Sequence, residues 1–150
     1  MDEAVIPTAG VPETPTLKVF DDVLQRVANK LPWFAVDLFP EMPKEYRLNA
    51  PLGAYLLCYG GSRFGSQLDT QIVAQDRHVE LVFNVVARQL HGRDGAVAMC
   101  DLLRAALVGY KPEQCDRGIW ANSEKFLGQK DGLWMYTVHL ATEMMSIQEM

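Results

Sequence analysis

The sequence predicts an α+β domain: two helices packed on one face of a mostly antiparallel sheet, in the order α-β-β-β-α-β-β. Two stretches carry apolar residues at helical spacing, and five carry short apolar runs or alternation. The strand-like stretches cluster instead of alternating with helices, which disfavours a parallel, doubly wound sheet. The 150 residues suit one domain with its own core.

Residues 1–13 carry Pro7, Gly10 and Pro12 with little periodicity and read as a flexible arm, leaving residues 14–150 as the single domain. Thr14-Pro15 starts a helix, with a hydroxyl N-cap and proline in the first turn. Leu17, Phe20, Leu24, Val27 and Leu31 follow on one face; Asp21, Asp22, Gln25, Arg26 and Lys30 form the solvated one, and Pro32 stops the helix. Trp33 to Phe39 reads as a strand, Pro40 to Pro51 as a polar loop, and Gly53 to Tyr59 as a buried strand. Gly60 to Val73, rich in Gly, Ser, Asp and Gln, reads as a long loop. His78 to Leu90 fits both periods, and its four valines favour a strand.

Asp94 is placed to cap a second helix that presents Met99, Leu102, Leu103, Ala106 and Leu107, with Gly109 ending it and Pro112 preventing its return. Ile119 to Leu127 and the run from Trp134 form a hairpin around Lys130-Asp131-Gly132. In its second arm Trp134, Tyr136, Val138, Leu140 and Met144 share one face. Trp33 and Trp134 are expected in the core, and Trp120, on a weakly apolar arm, is a candidate interface anchor.

The net charge of −5 argues against general nucleic-acid binding, which needs a basic face. Cys58, Cys100 and Cys115 are odd in number and lack metal-like spacing, so they read as free thiols of a reducing cytoplasm. The start has neither the basic residues nor the apolar run of a secretory signal, and no stretch reaches the roughly 18 apolar residues of a membrane span. A soluble protein made in the cytoplasm is expected, without cofactor, metal or membrane partner.

Catalytic signals are weak. Gly60-Gly61-Ser62-Arg63-Phe64-Gly65 lacks the Gly-Lys-Ser/Thr ending of a phosphate loop and the GxGxxG spacing of a dinucleotide fold. It reads as a bend that displays Arg63 and Phe64, residue types enriched at protein interfaces. His78 with Asp76 and Glu80 could form a weak metal site, but a solvated strand face is the commoner meaning of that pattern.

Tyr59-Gly60-Gly61-Ser62-Arg63-Phe64-Gly65 resembles the signature of the Mu-like bacteriophage tail terminator family. Glu45-Tyr46-Arg47-Leu48 and Pro51-Leu52-Gly53-Ala54 fit its lead-in; Gln75-Asp76-Arg77 and Val86-Ala87-Arg88-Gln89-Leu90 fit the ends of its long strand. Gly95-Ala96, Asp101, Arg104, Ala106-Leu107, Gly109 and Pro112 fit the second helix, and Glu124, Phe126, Gly132, Trp134 and Tyr136 the final hairpin. The resemblance spans Thr14 to Thr142 and implies a fold shared with lambda-type tail terminators. It also implies a non-enzymatic virion protein: a homohexameric ring on the head-proximal end of the tail tube. That ring stops tube polymerisation and offers a surface for head–tail joining.

The partners implied are further copies of this chain, the tail tube protein, a head–tail connector or completion protein, and the sheath where the tail is contractile. DNA would pass through the lumen without specific binding. Long loops on a rigid sheet are natural suppliers of contacts, which makes the Gly60 to Val73 and Pro40 to Pro51 loops candidates; the candidate interface residues are Arg63, Phe64, Gln67 and Asp69, with Trp120 as the anchor on the hairpin arm. A hexamer would carry six times −5, or −30, so acidic side chains are expected along part of the lumen. The rival readings are another ring-forming completion or connector subunit and, from a different class, a small metal- or ligand-binding enzyme domain built on His78, Asp76 and Glu80.

Overall fold

The computed structural model describes residues 10–68 and 72–149. The expected arm at 1–13 falls mostly outside them. The elements run α1 (Pro15–Lys30), β1 (Ala35–Leu38), a 3₁₀ turn (Pro43–Glu45), β2 (Gly53–Phe64), β3 (Ile72–Ala87), α2 (Ala96–Leu107), β4 (Trp120–Lys130) and β5 (Leu133–Glu149). This is the predicted order. One sheet runs β1-β2-β3-β5-β4, with β1 parallel to β2 and every other pairing antiparallel.

Helix α1 begins at Pro15, where a missing N–H costs nothing. The Thr14 carbonyl accepts from the Lys18 N–H at 3.1 Å, but its hydroxyl makes no cap bond, contrary to expectation. Val19, Phe20, Val23 and Val27 are buried while Leu17 is exposed, so the stripe lies slightly rotated from the predicted one. The N-cap of α2 is Gly95, not Asp94. A Cβ on Gly95 would lie 2.5 Å from the His91 carbonyl oxygen, so only glycine lets the chain enter the helix this tightly. Gly109, at φ +88°, closes α2 as predicted.

The alternation of β3 sets the two faces. Val79, Leu81, Phe83, Val85 and Ala87 point at the helices and join the main core with Tyr55, Leu57, Val138 and Leu140. A smaller core of Ala54, Leu56 and Val86 lies on the far face, covered by Phe39, Tyr46, Leu48, Leu133 and Met135. Asp131 and Gly132, both with positive φ, make the predicted turn between β4 and β5.

Two larger expectations fail as well. Half of the stretch read as a long loop from Gly60 to Val73 is strand: β2 continues to Phe64 and β3 starts at Ile72. Its polar residues sit on a ladder only half covered, so alternation of buried apolar side chains is missing while backbone pairing persists. Even beyond β2, Gly65 N–H donates to the Asp76 carbonyl at 2.7 Å and Leu68 N–H to the Ala74 carbonyl at 2.8 Å. Trp33, expected in the core, is 61% exposed. It sits in the turn after Pro32, and Phe34 takes the interior position, edge-on to Tyr55 at 5.5 Å.

The sheet outruns its helical cover. The 16 residues of β3 span roughly 53 Å at about 3.3 Å each, while the 16 residues of α1 span about 24 Å. The start of α1 meets β3 at Arg77, so Ile72 to Asp76 lie beyond it and remain half-buried.

Candidate interaction site

The signature run forms the middle and end of β2, and a bulge organises it. Tyr59 pairs with Leu81 and Gly61 with Glu80, which leaves Gly60 as the extra residue. A Cβ on Gly60 would sit 2.8 Å from Glu80 Cγ and Val82 Cγ2, and Gly61 adopts φ +111°. Both glycines are therefore required by local geometry. The bulge shifts the alternation by one, so that Tyr59, Ser62 and Phe64 all stand on the helix side and Arg63 turns to the other.

Arg77 of β3 gathers those helix-side groups. Its Nε donates to Ser62 Oγ at 2.9 Å, and Nη2 donates to Thr16 Oγ1 at 2.8 Å and to Tyr59 Oη at 3.1 Å. The Tyr59 and Ser62 hydroxyls lie 2.6 Å apart, and the guanidinium sits 5.8 Å from the centre of the Phe64 ring. One cation thereby ties the hairpin to the first turn of α1. The Ser62 hydrogen bond, followed by the hydrogen bond and charge of Arg77, holds the Tyr59 phenol below its ordinary pKa against a partly opposing desolvation. Tyr55, whose hydroxyl donates to the Met99 carbonyl at 2.8 Å, is pushed up by burial and then by Cys100.

On the helix-distal face, Gly60, Arg63, His78, Glu80, Trp120 and Asn122 line a concavity of about 220 Å³. Trp120 Nε1 donates to Asn122 Oδ1 at 3.1 Å, the His78 ring stands edge-on to the indole at 5.8 Å, and the Arg117 guanidinium covers it at 4.9 Å. Glu143 faces His78 Nε2 at 2.9 Å and Arg117 Nη1 at 3.5 Å. His139 Nδ1 lies 2.5 Å from Glu80 Oε1. The structure thus divides the residues considered as a metal site: His78 engages Glu143, and Glu80 engages His139. What remains is an open, polar, aromatic-floored surface of the kind that suits contact with another protein.

Arg63 and Trp120 therefore meet in one concavity, although the sequence placed them far apart. Phe64 lies on the opposite face, 54% exposed. Gln67 lies exposed on the connection to β3, and Asp69 falls outside the described residues. Sequence reasoning missed Arg77, Arg117, His139 and Glu143. The pairing of β2 with β3 is the signal that brings Arg77 beside the signature, and it cannot be written down without knowing the bulge. Asp22, expected on a solvated face, accepts hydrogen bonds from the Tyr110 hydroxyl and, at 2.9 Å, from the Glu113 N–H, joining α1 to the segment after α2.

The family model described as "Gp37 protein" matches residues 23–150. Among solved structures, a chain of the one described as "Virion of native gene transfer agent (GTA) particle" has a similar fold. It is 14% identical, with 84% of this chain and 93% of that chain covered and a TM-score of 0.55. At that identity the likeness is one of fold. No curated protein matches the chain.

Proposed function

This chain belongs to the Gp37 family, and from that premise we propose that it is a structural protein of a phage-like virion and, within the virion, the tail terminator. Six copies form a ring on the head-proximal end of the tail tube, stop its polymerisation and present the surface for head–tail joining. The observation that carries this reading is the uncovered end of the sheet. From Arg77 onward the sheet continues beyond its helical cover: Phe64 is 54% exposed on the helix side, Leu68 is 61% exposed on the connection after β2, and Met145 and Ile147 are 38% and 57% exposed on the opposite face. Apolar side chains on a hydrogen-bonded extension, next to the Arg63–Trp120 concavity, suit permanent contacts with other protein. The resemblance of the Tyr59–Gly65 signature and the virion fold neighbour agree with it.

The physics of termination follows. A ring closes when each copy contacts the next head-to-tail with the right rotation. Its lower surface complements the last tube layer and its upper surface does not, so addition is favourable once and cannot repeat. Acidic side chains along part of the lumen would keep passing DNA from adhering.

Deleting the gene is the test. A terminator's loss gives tubes of uncontrolled length that do not join heads, whereas a completion or connector subunit's loss gives tubes of normal length left unjoined. The second result would replace the terminator with its rival. In the purified protein, the Arg63→Glu, Phe64→Ala double variant is expected to keep its fold and lose ring formation or tail joining. If both survive, the signature hairpin is not an interface.

A further inference from the structure

The charges around the Arg63–Trp120 concavity are committed, with one exception. Glu143 faces His78 and Arg117, and Glu80 faces His139. Arg63 is exposed in the lining and has no partner among the described residues. An occupant that completes the concavity therefore brings a carboxylate for Arg63 and an apolar group for the indole of Trp120. The volume of about 220 Å³ lies below the roughly 300 Å³ at which small-molecule pockets begin, and it admits one or two side chains. The flank of a helix or sheet is too broad to enter, whereas the tip of a tight turn fits.

The described part of the chain presents such a turn. Among its exposed large apolar residues, Leu38 and Met42 are the two that directly follow an acidic residue. Asp37 and Leu38 are neighbours on β1 and point to opposite faces, and Asp37 Oδ1 already accepts from the Leu38 N–H at 2.7 Å. Glu41 and Met42 instead stand together at the bend that opens the 3₁₀ turn, between Pro40 and Pro43, and both are exposed, Met42 by 65%. The two prolines restrict the bend, so little freedom is left to lose on docking. We propose that the Glu41-Met42 turn of a neighbouring copy seats in the concavity, with Glu41 against Arg63 and the Met42 thioether against Trp120. The proposal rests on the ring reading, which supplies the neighbour. A copy's own turn is out of reach: Pro43 lies beside Val86, six residues along β3 from Glu80 in the concavity, or about 20 Å. Turn and concavity are unlike patches toward opposite ends of one sheet. Each contact leaves a free turn on one copy and a free concavity on the other, which is the condition for head-to-tail closure.

The test follows self-association of the full chain by analytical ultracentrifugation. Arg63→Glu and Glu41→Arg should each weaken it by about tenfold or more, with the melting temperature unchanged because neither side chain is engaged within its own fold. The double variant that exchanges the two charges should recover it. A one-to-one mixture of the single variants should recover it too, since alternating copies then match at every contact. A parent chain that stays monomeric in concentrated solution, single variants that associate as the parent does, or failure of either charge exchange to recover association would overturn the proposal. Light scattering on the same samples separates the two ideas. A hexamer indifferent to both substitutions removes only this contact, and a charge-sensitive assembly of another size removes only the hexamer.

Discussion

Replacing Arg77 by methionine keeps the apolar stem and deletes the guanidinium that joins three hydroxyls. Two of its hydrogen bonds, to Ser62 and Thr16, are half-buried, and the one to Tyr59 is exposed. Charge-assisted bonds are among the stronger ones, but water competes at this position, so about 1 kcal/mol for each half-buried bond is reasonable and the exposed one adds little. The sum, about 2 kcal/mol, should lower the melting temperature by about 4–8 °C in a domain of this size. Thermal unfolding followed by circular dichroism measures the loss, and hydrogen exchange should localise it to the start of α1 and to Tyr59–Phe64. Arg77→Lys should recover less than half, because an ammonium cannot reproduce the planar fork. The same substitution removes two of the influences that hold the Tyr59 phenol down, so its ionisation, read at 295 nm, should move upward. A melting temperature within about 1 °C of the parent, with unchanged exchange near Thr16, would refute the view that Arg77 ties the signature hairpin to the helix.

Further outcomes are expected. Gly53→Ala would push a Cβ to within 2.5 Å of the Val86 carbonyl oxygen and 2.9 Å of Met99 Sδ; a loss of about 3 kcal/mol should follow, visible as a lower denaturation midpoint. In native protein a thiol reagent should modify Cys58 first, since Cys100 and Cys115 are buried, and mass spectrometry should find the other two labelled only after denaturation. Burial, followed by the charge of Glu124, raises the Cys100 thiol from 9.0 to about 12. A raised acid contributes stability that is complete below pH 9.0 and is lost as pH climbs toward 12, so the denaturation midpoint should fall over that interval and fall less in Cys100→Ala.

Where one face of an element is fully buried, the sequence disclosed it. Val79, Leu81, Phe83, Val85 and Ala87 alternate because the helices cover that side of β3, and Gly109 and Asp131-Gly132 mark their turns by backbone conformations that few other residues accept. Legibility ended where cover ended. Between Gly60 and Val73 the strands are held by backbone pairing with little buried side-chain area, so the polar composition resembled a loop. Trp33 shows the complementary failure, because a large aromatic beside two apolar neighbours reads as core until the turn at Pro32 is placed.

The candidate site was legible in kind and not in arrangement. Arg63, Phe64 and Trp120 were recognisable as interface residue types from composition and from the signature. Which of them share a surface depends on the bulge at Gly60 and on the register of β4 against β5, where Trp120 pairs with Ala141. Those two facts put Arg63 with Trp120 and send Phe64 to the opposite side. The partners that orient them, Arg77, Arg117 and Glu143, come from other strands or from the segment before β4, so no local pattern could announce them.

The most direct measurement is a reconstruction of the head–tail junction in purified particles by electron cryomicroscopy, with this chain fitted to the density. One sixfold ring of about 101 kDa, six times the 16.8 kDa chain, is expected on the last tube layer at the head-proximal end. Density for this chain repeated along the tube, found at the distal tip, or missing from the junction would contradict the account.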